Sequence, residues 1–460
     1  MSMRLARRLP KRHDGQVLIT LVIVIPAFIL IASAYFSLST SGYRLERQDQ
    51  FRTQAQMAAD AGADYSVEQL NQDNSWAGTG SEITLQSDSQ KKVTFESSIT
   101  DNSSSSKTIN VIGRTYFPAS SSTPSATVKI NVDLRQVSSG SYSVVSGEGG
   151  LYMSNSAKIV GGDVLINGAI SLSNTAQIGL STNPVSVSVA DALCPNPPDA
   201  TYPRVCNAGE KDNPITITNS GHIYGDVKAN NQTNPYPSNI TNNGLVATSG
   251  VAAQALPNYD RASQIAAVTS TISGGFSCSS GSQVWNANTK IVGDVNISNK
   301  CKVTVKGNIW ITGNLYLSNS ASLIVDSGLG STQPVIMVDG SNGAVISNGA
   351  TFTSNSSGTG FEIITFWSAA SCSPDCSSVT GTDLYNSRGH TTISMSNNSE
   401  GPQTVFYARW SQVSVNNGGE IGALLGETVR MSNAATITFG TSSGSLGFVF
   451  WVVDGYRQAF

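Results

Sequence analysis

The sequence predicts a mainly β protein. The expected architecture is a right-handed parallel β-helix, a solenoid, preceded by a long N-terminal transmembrane and amphipathic α-helix and a small antiparallel β-sheet. Three observations carry this. An uncharged apolar run lies near the N-terminus, from Gly15 to Tyr43. Short stretches of alternating Val, Ile, Tyr and Phe, separated by Ser-, Asn- and Gly-rich turns, come after it. A box of apolar residue, Ser-Asn, small residue and second apolar residue then recurs: LYMSNSAKI (151–159), LSNTAQI (172–178), ISNKCKV (297–303), LSNSASL (317–323), ISNGATF (346–352) and MSNAATI (431–437).

Composition narrows the function classes. The chain has 460 residues, a net charge of −3 and 12% charged residues, about half the usual charged share. No basic stripe lies beyond residue 12, so no nucleic-acid partner is expected. Recurrent β-branched and aromatic residues argue for folded strands and against disorder.

Arg4, Arg7, Arg8, Lys11 and Arg12 precede VLITLVIVIPAFILIASAYF, a run long enough to span a bilayer. The basic flank keeps the N-terminus in the cytoplasm and places the main body outside the cytoplasmic membrane. Pro26 is tolerated in such a helix when neighbours satisfy the freed carbonyl. An ordinary signal peptide cut near Ala32-Ser33-Ala34, a plain anchor, and a leader of residues 1–15 cut between Gly15 and Gln16 all fit the run itself. Residues 43–72 favour the last. Phe51, Ala55, Ala58, Ala61 and Tyr65 recur at helical spacing, with Gly62 beside the stripe. One continuous helix over 16–75 results, and a signal-peptide cut would remove its first half.

These residues resemble the N-terminus of type IV pilins, most closely PilX-type minor pilins, over roughly residues 8–75. The resemblance rests on the basic leader ending in Gly15, the uncharged helix with Pro26, and RTQAQMAADAGADYS. There Ala59, Asp60, Ala61 and Gly62 stand where that group has Ala-Glu-Ala-Gly. Major pilins carry a Glu at the fifth mature position; here it is Thr20, which suits a minor subunit better. The resemblance implies leader cleavage at Gly15, packing against other pilins through the helix, and a membrane location.

Residues 76–140 supply four candidate strands, 82–86, 92–99, 107–117 and 126–137, expected as a pilin-like antiparallel sheet laid on the helix. From 141 to 460 the boxes recur about every 20 residues with further short strands between them, the mark of a solenoid. Apolar positions point inward, Asn turns the corner in the left-handed conformation, and the small residue gives room at the bend. Asn155, Asn174, Asn299, Asn319, Asn348 and Asn433 are the expected corner residues, able to bond along the stack as a ladder. Weaker boxes occur at 218–223, 396–399 and 415–421. Insertions near 182–215, 229–275 and 368–390 interrupt the repeats; residues 250–272 are expected to cap or flank the solenoid. The final run LGFVFWVV (446–453) is expected to close its open end. This half resembles the β-helical domain fused to PilX-like N-termini in bacterial pilus proteins, a repeat style shared with the polymerising bactofilins.

Cys194, Cys206, Cys278, Cys301, Cys372 and Cys376 are expected on the outer side. Proximity suggests the pairs 194–206, 278–301 and 372–376 among 15 possible pairings, with zinc at CSPDC as the rival for the last. No cofactor and no metal is expected. The Gly-Asp-Val turns at Asp163, Asp226 and Asp294 read as turn chemistry. Arg388, His390, Arg409, Glu362 and Glu420 are the few candidates for catalysis, and no spacing links them, so no catalytic residues are expected. Tyr202, Tyr236, Trp285 and Trp310 are aromatic candidates for contact with a surface glycan or host surface, Trp310 pointing outward by alternation. The expected function is a non-enzymatic pilus-like minor pilin or pilus assembly protein presenting the β-helix as spacer or adhesive module. The alternatives are a membrane-anchored polysaccharide enzyme and a bactofilin-like scaffold.

Overall fold

A computed structural model describes residues 14–72, 76–103, 105–138, 142–190, 213–230, 238–241, 245–247, 251, 253, 256–257, 259–370, 382–440 and 449–459. The fold is mainly β, with one large parallel sheet and one small antiparallel sheet.

A single helix, Asp14–Gln72, runs through Pro26. Its two halves differ in character. Phe28, Ile29, Leu30, Ile31, Phe36 and Leu38 are exposed, whereas Ala55, Ala59, Ala63, Val67 and Leu70 are buried. The buried stripe is centred one step away from the predicted one: Tyr65 is exposed and Gly62 lies on the stripe itself. A Cβ at Gly62 would meet the Phe95 ring at 2.6 Å, and one at Gly113 would meet the Ala55 carbonyl oxygen at 2.0 Å. Small residues on both surfaces therefore let the helix backbone sit directly on the sheet. Among the described residues no helix is long and apolar enough to cross a membrane. The side chains of residues 1–25 and 27 lie outside that set, and with them much of the apolar run behind the anchor expectation.

The small sheet has the order Ile83–Ser87, Lys92–Ser103, Ser106–Tyr116, Ala126–Ser138, Val449–Ala459, antiparallel throughout. Phe95, Ile109, Val111, Ile130, Val132 and Leu134 face the helix and form one core with it. The last strand corrects an expectation. Val449–Ala459 does not close the parallel sheet; it pairs with Ala126–Ser138. Trp451 is buried in the helix–sheet core, and Asn71 bonds both its N–H (2.6 Å) and its carbonyl (3.3 Å). Trp451 and Val453 pack with the helix–sheet core, so the small sheet covers one face of this apolar run. The parallel region is consequently inserted between the fourth and fifth strands of the small sheet.

From Ser270 to Thr353 each short strand pairs with the strand three further along, as Thr289–Val292 with Ile309–Ile311 and Lys302–Val305 with Ser322–Val325. Three strands and three corners thus make one coil. Alternate residues such as Ile309, Ile311, Leu315, Leu317, Leu323 and Val325 fill a continuous inner column. The stacking order differs from the chain order. Coils run from Ser270 to Thr438, and the last of them pairs in parallel with the first coil of the region: Leu424 with Val144, Val429 with Leu151, Thr436 with Lys158. The stack then continues through Asp163–Ile166, Val187–Val189 and Val227–Ala229 to Leu245–Ala247. Near 4.8 Å per parallel step, its length is on the order of 50 Å.

The chain returns from one end of the stack to the other along the outside. Leu256, Tyr259 and the short helix Arg261–Ala266 cover an apolar outer row that includes Met337, Ile364, Tyr407 and Leu425. Arg261 pairs with Asp339 at 2.7 Å, and Tyr407 donates its hydroxyl to the Pro257 carbonyl. Of the expected capping or flanking segment 250–272, Leu256, Tyr259 and Arg261–Ala266 lie along this row, while 270–272 belong to the strand Ser270–Ser273 of the sheet itself.

Candidate functional site

The predicted corner residues lie in one line. Asn299, Asn319, Asn348, Asn433, Asn155 and Asn174 all have φ between 49° and 57°, and Asn219, Asn397 and Asn417 of the weaker boxes join them. From Asn319 onward each Nδ2 donates to the Oδ1 of the corner Asn in the preceding coil. The distances are 3.3 Å for Asn319 to Asn299, 3.0 Å for Asn397 to Asn348 and 3.0 Å for Asn433 to Asn417. The line crosses the junction between the two halves without a gap, since Asn155 donates to Asn433 at 3.0 Å. Asn is favoured here because it adopts the left-handed conformation at low cost and carries both a donor and an acceptor. The small-residue slot beside it is fully buried in Ala157, Ala176, Ala321, Ala350 and Ala435.

Next to this line the junction carries a polar groove. Its floor follows from the pairing of outward positions: Ser394 beside Ser414, Ser414 beside Arg430, Arg430 beside Tyr152, Tyr152 beside Ser171. Their sequence neighbours Val413, Val415, Val429, Met431, Leu151 and Met153 are fully buried, which fixes the outward direction of the row. Two large side chains thus stand up from a run of serines. The Arg430 guanidinium lies 5.0 Å from the centre of the Tyr152 ring. A cavity of about 410 Å³ opens beside them, walled on the far side by Thr391 and Gln412, which bond each other at 2.6 Å. Asn155, Asn416, Asn433, Ser154 and Ser432 complete the lining. Every one of these side chains is polar, and Arg430 is the sole charged one. Among the described residues Arg430 is exposed and has no carboxylate partner. No sequence signal marks Tyr152 and Arg430, because only the junction brings them together.

The charged candidates for catalysis do not gather here. Arg388 is buried and bridges Glu427, at 2.6 Å, and Glu148. Arg409 stacks on Trp410 at 3.9 Å. Glu362 is buried beside the returning segment, and burial raises its carboxyl to about 8. Glu420 pairs with Glu400 and Thr436 of the adjoining coils, and the His390 ring lies 3.9 Å from that of Trp367. Among the described residues no group of three or more His, Cys, Asp or Glu has metal-binding geometry. Asp294 accepts from the Asn314 backbone at 2.8 Å, as turn chemistry requires.

The cysteine expectation needs one correction. Cys278 and Cys301 are disulfide-bonded, but they lie in the inner column and not on the outer side. Cys301 occupies the small-residue slot of its box, and Cys278 pairs with the inward Ile297. Cys194, Cys206, Cys372 and Cys376 lie outside the described residues, as do Tyr202 and Tyr236. Trp285 is likewise internal, edge-on to Phe276 at 5.3 Å. Trp310 faces outward from the column, yet its indole N–H is held by Asp339 at 2.6 Å beside the returning segment. Gly15 and Gln16 stand in the first turn of the long helix, and residues 1–13 lie outside the described set.

No family model and no curated protein matches the chain. Among solved structures it is similar to the crystal structure of the competence-associated pilin ComZ from Thermus thermophilus. That similarity has a TM-score of 0.21 and 10% identity, over 89% of this chain and 97% of the other.

Proposed function

We propose that the chain is a non-enzymatic type IV pilus-like minor pilin or pilus assembly protein of the cell surface. In this reading the leader is cut between Gly15 and Gln16, the helix anchors the protein in the cytoplasmic membrane, and the same helix packs against other pilins. The inserted right-handed β-helix projects outward as a stiff spacer or adhesive module. The observation that carries the reading is the division of the helix. Its first half presents Phe28, Ile29, Leu30, Ile31, Phe36 and Leu38 to the outside, while its second half is committed to the small sheet. A contiguous apolar surface of that kind needs lipid or another apolar helix to cover it. The n to n+3 parallel pairing supports the β-helix, and the separate engagement of Glu362, Arg388 and Arg409 supports a non-catalytic role.

The test is the N-terminal residue of the mature protein, read by mass spectrometry of membrane and sheared-surface fractions. A start at Gln16 is expected. A start near Tyr35 would replace the reading with a secreted solenoid, and an intact Met1 would leave a membrane tether without pilin processing.

A further inference from the structure

We infer that the groove at the junction of the two solenoid halves is a binding site for a carboxylated oligosaccharide. The inference deepens the adhesive reading above and rests on it for biological setting, but its chemistry stands on the groove alone. The lining is made of hydroxyls and amides, which exchange hydrogen bonds with sugar hydroxyls as donors and acceptors alike. An apolar peptide would find no pocket for its side chains there, and one cation is too few for a nucleic-acid backbone. Tyr152 supplies an aromatic body beside the serine floor, with its other flank open toward the small Ser171. Arg430 supplies a planar donor fork suited to a carboxylate, and among the described residues no protein carboxylate already occupies it. A sugar ring lying on Ser414 would reach Arg430 on the adjoining strand and Gln412 two residues back along its own strand. The outward row of serines continues past the groove to Ser394 on one side and Ser171 on the other, so a chain of several sugars has a polar track to follow.

The assignment depends on the junction. Arg430 and Tyr152 come from opposite ends of the inserted region and are neighbours only because its last coil stacks on its first.

The experiment titrates the full chain, held in detergent micelles, with tetragalacturonate, a hyaluronan tetrasaccharide and neutral cellotetraose, followed by calorimetry. At least one carboxylated probe is expected to bind, and to bind more tightly than cellotetraose. Arg430→Gln should weaken it on the order of tenfold, the loss of one charge-assisted contact. Tyr152→Ser should weaken charged and neutral probes together. Lys302→Gln, which removes an exposed cation elsewhere on the stack, should leave binding unchanged and so reports non-specific charge attraction. Failure of both carboxylated probes to bind at millimolar concentration would overturn the inference. So would equal binding by Arg430→Gln, or an equal loss in Lys302→Gln. None of these outcomes bears on the N-terminal residue, so the site can fail while the anchoring reading stands.

Discussion

Glu362→Gln is expected to stabilise the protein above neutral pH and to leave it nearly unchanged in acid. Glu362 is 4% exposed on the strand Glu362–Thr365, between Val335 and Val405, and its Oε1 has no hydrogen-bond partner. Tyr259 and Tyr407, both themselves raised by burial, and the Asp260, Arg409 and Glu427 charges surround the same region. Burial lifts the carboxyl from 4.5 to about 8, so the folded protein keeps a proton that the unfolded chain has released. Stability from this group is therefore fully present below about pH 4.5 and falls as pH rises toward about 8. At 1.36 kcal/mol per unit the loss amounts to about 3 kcal/mol by pH 7 and about 5 kcal/mol by pH 9. Glutamine keeps the shape and removes the titration. Thermal unfolding of both proteins between pH 4.5 and 9 checks this. At about 2 °C per kcal/mol for a domain of this size, the gap between the two melting temperatures should open by on the order of 10 °C. Parallel curves across that range would refute the reasoning, because they would mean that Glu362 is already ionised and solvated in the folded state.

Three further outcomes follow from the packing. Asn433→Ala removes a ladder member bonded on both sides and puts a residue with a Cβ but no amide at a φ of 52°; a loss of about 1–3 kcal/mol is expected by denaturant unfolding, and Asn433→Gly should recover the backbone share. Joint replacement of Cys278 and Cys301 by alanine opens a 23-residue loop at the end coil, which should cost about 2–4 kcal/mol of local stability and expose residues 270–301 to proteolysis while the junction stays protected. Gly113→Val drives a side chain into the Ala55 carbonyl; it should detach the helix from the small sheet, read as lost amide-exchange protection over residues 55–70, and leave the parallel region folded.

The local chemistry of the coils was legible because it is periodic. Each box names its own corner, since Asn in the left-handed conformation, a small buried residue and two inward apolar positions form one steric unit. Even the misplaced cysteine follows from that unit: aligning ISNKCKV with LSNSASL puts Cys301 in the slot of Ala321, inside the column. What stayed hidden is which coil stacks on which. Parallel coils with the same inner residues and the same corner amide can pair in any order, so repeat spacing predicts the coil and leaves the order of coils open. The junction of 424–437 with 144–159 is set by the length of the returning segment and by the small sheet claiming both ends of the inserted region. The groove was hidden for the same reason, as Arg430 and Tyr152 are neighbours only across that junction. The destination of the last strand was ambiguous too, because a short apolar run fits the edge of either sheet.

The placement of that junction has a mechanical consequence. In a solenoid tethered through its terminal coil, a pull on the tether meets one ladder end and peels coils off in sequence. Here both connections to the small sheet leave from neighbouring coils in the interior of the stack, at Tyr142 and after Thr438. The described residues Leu256, Tyr259 and Arg261–Ala266 lie between the two extremities in sequence and run along the outside of the stack. A pull on both connections at once would load two interior coils, which are paired with neighbours on both sides, and not a free end of the stack. The attachment lies at the middle of the stack, away from both of its ends.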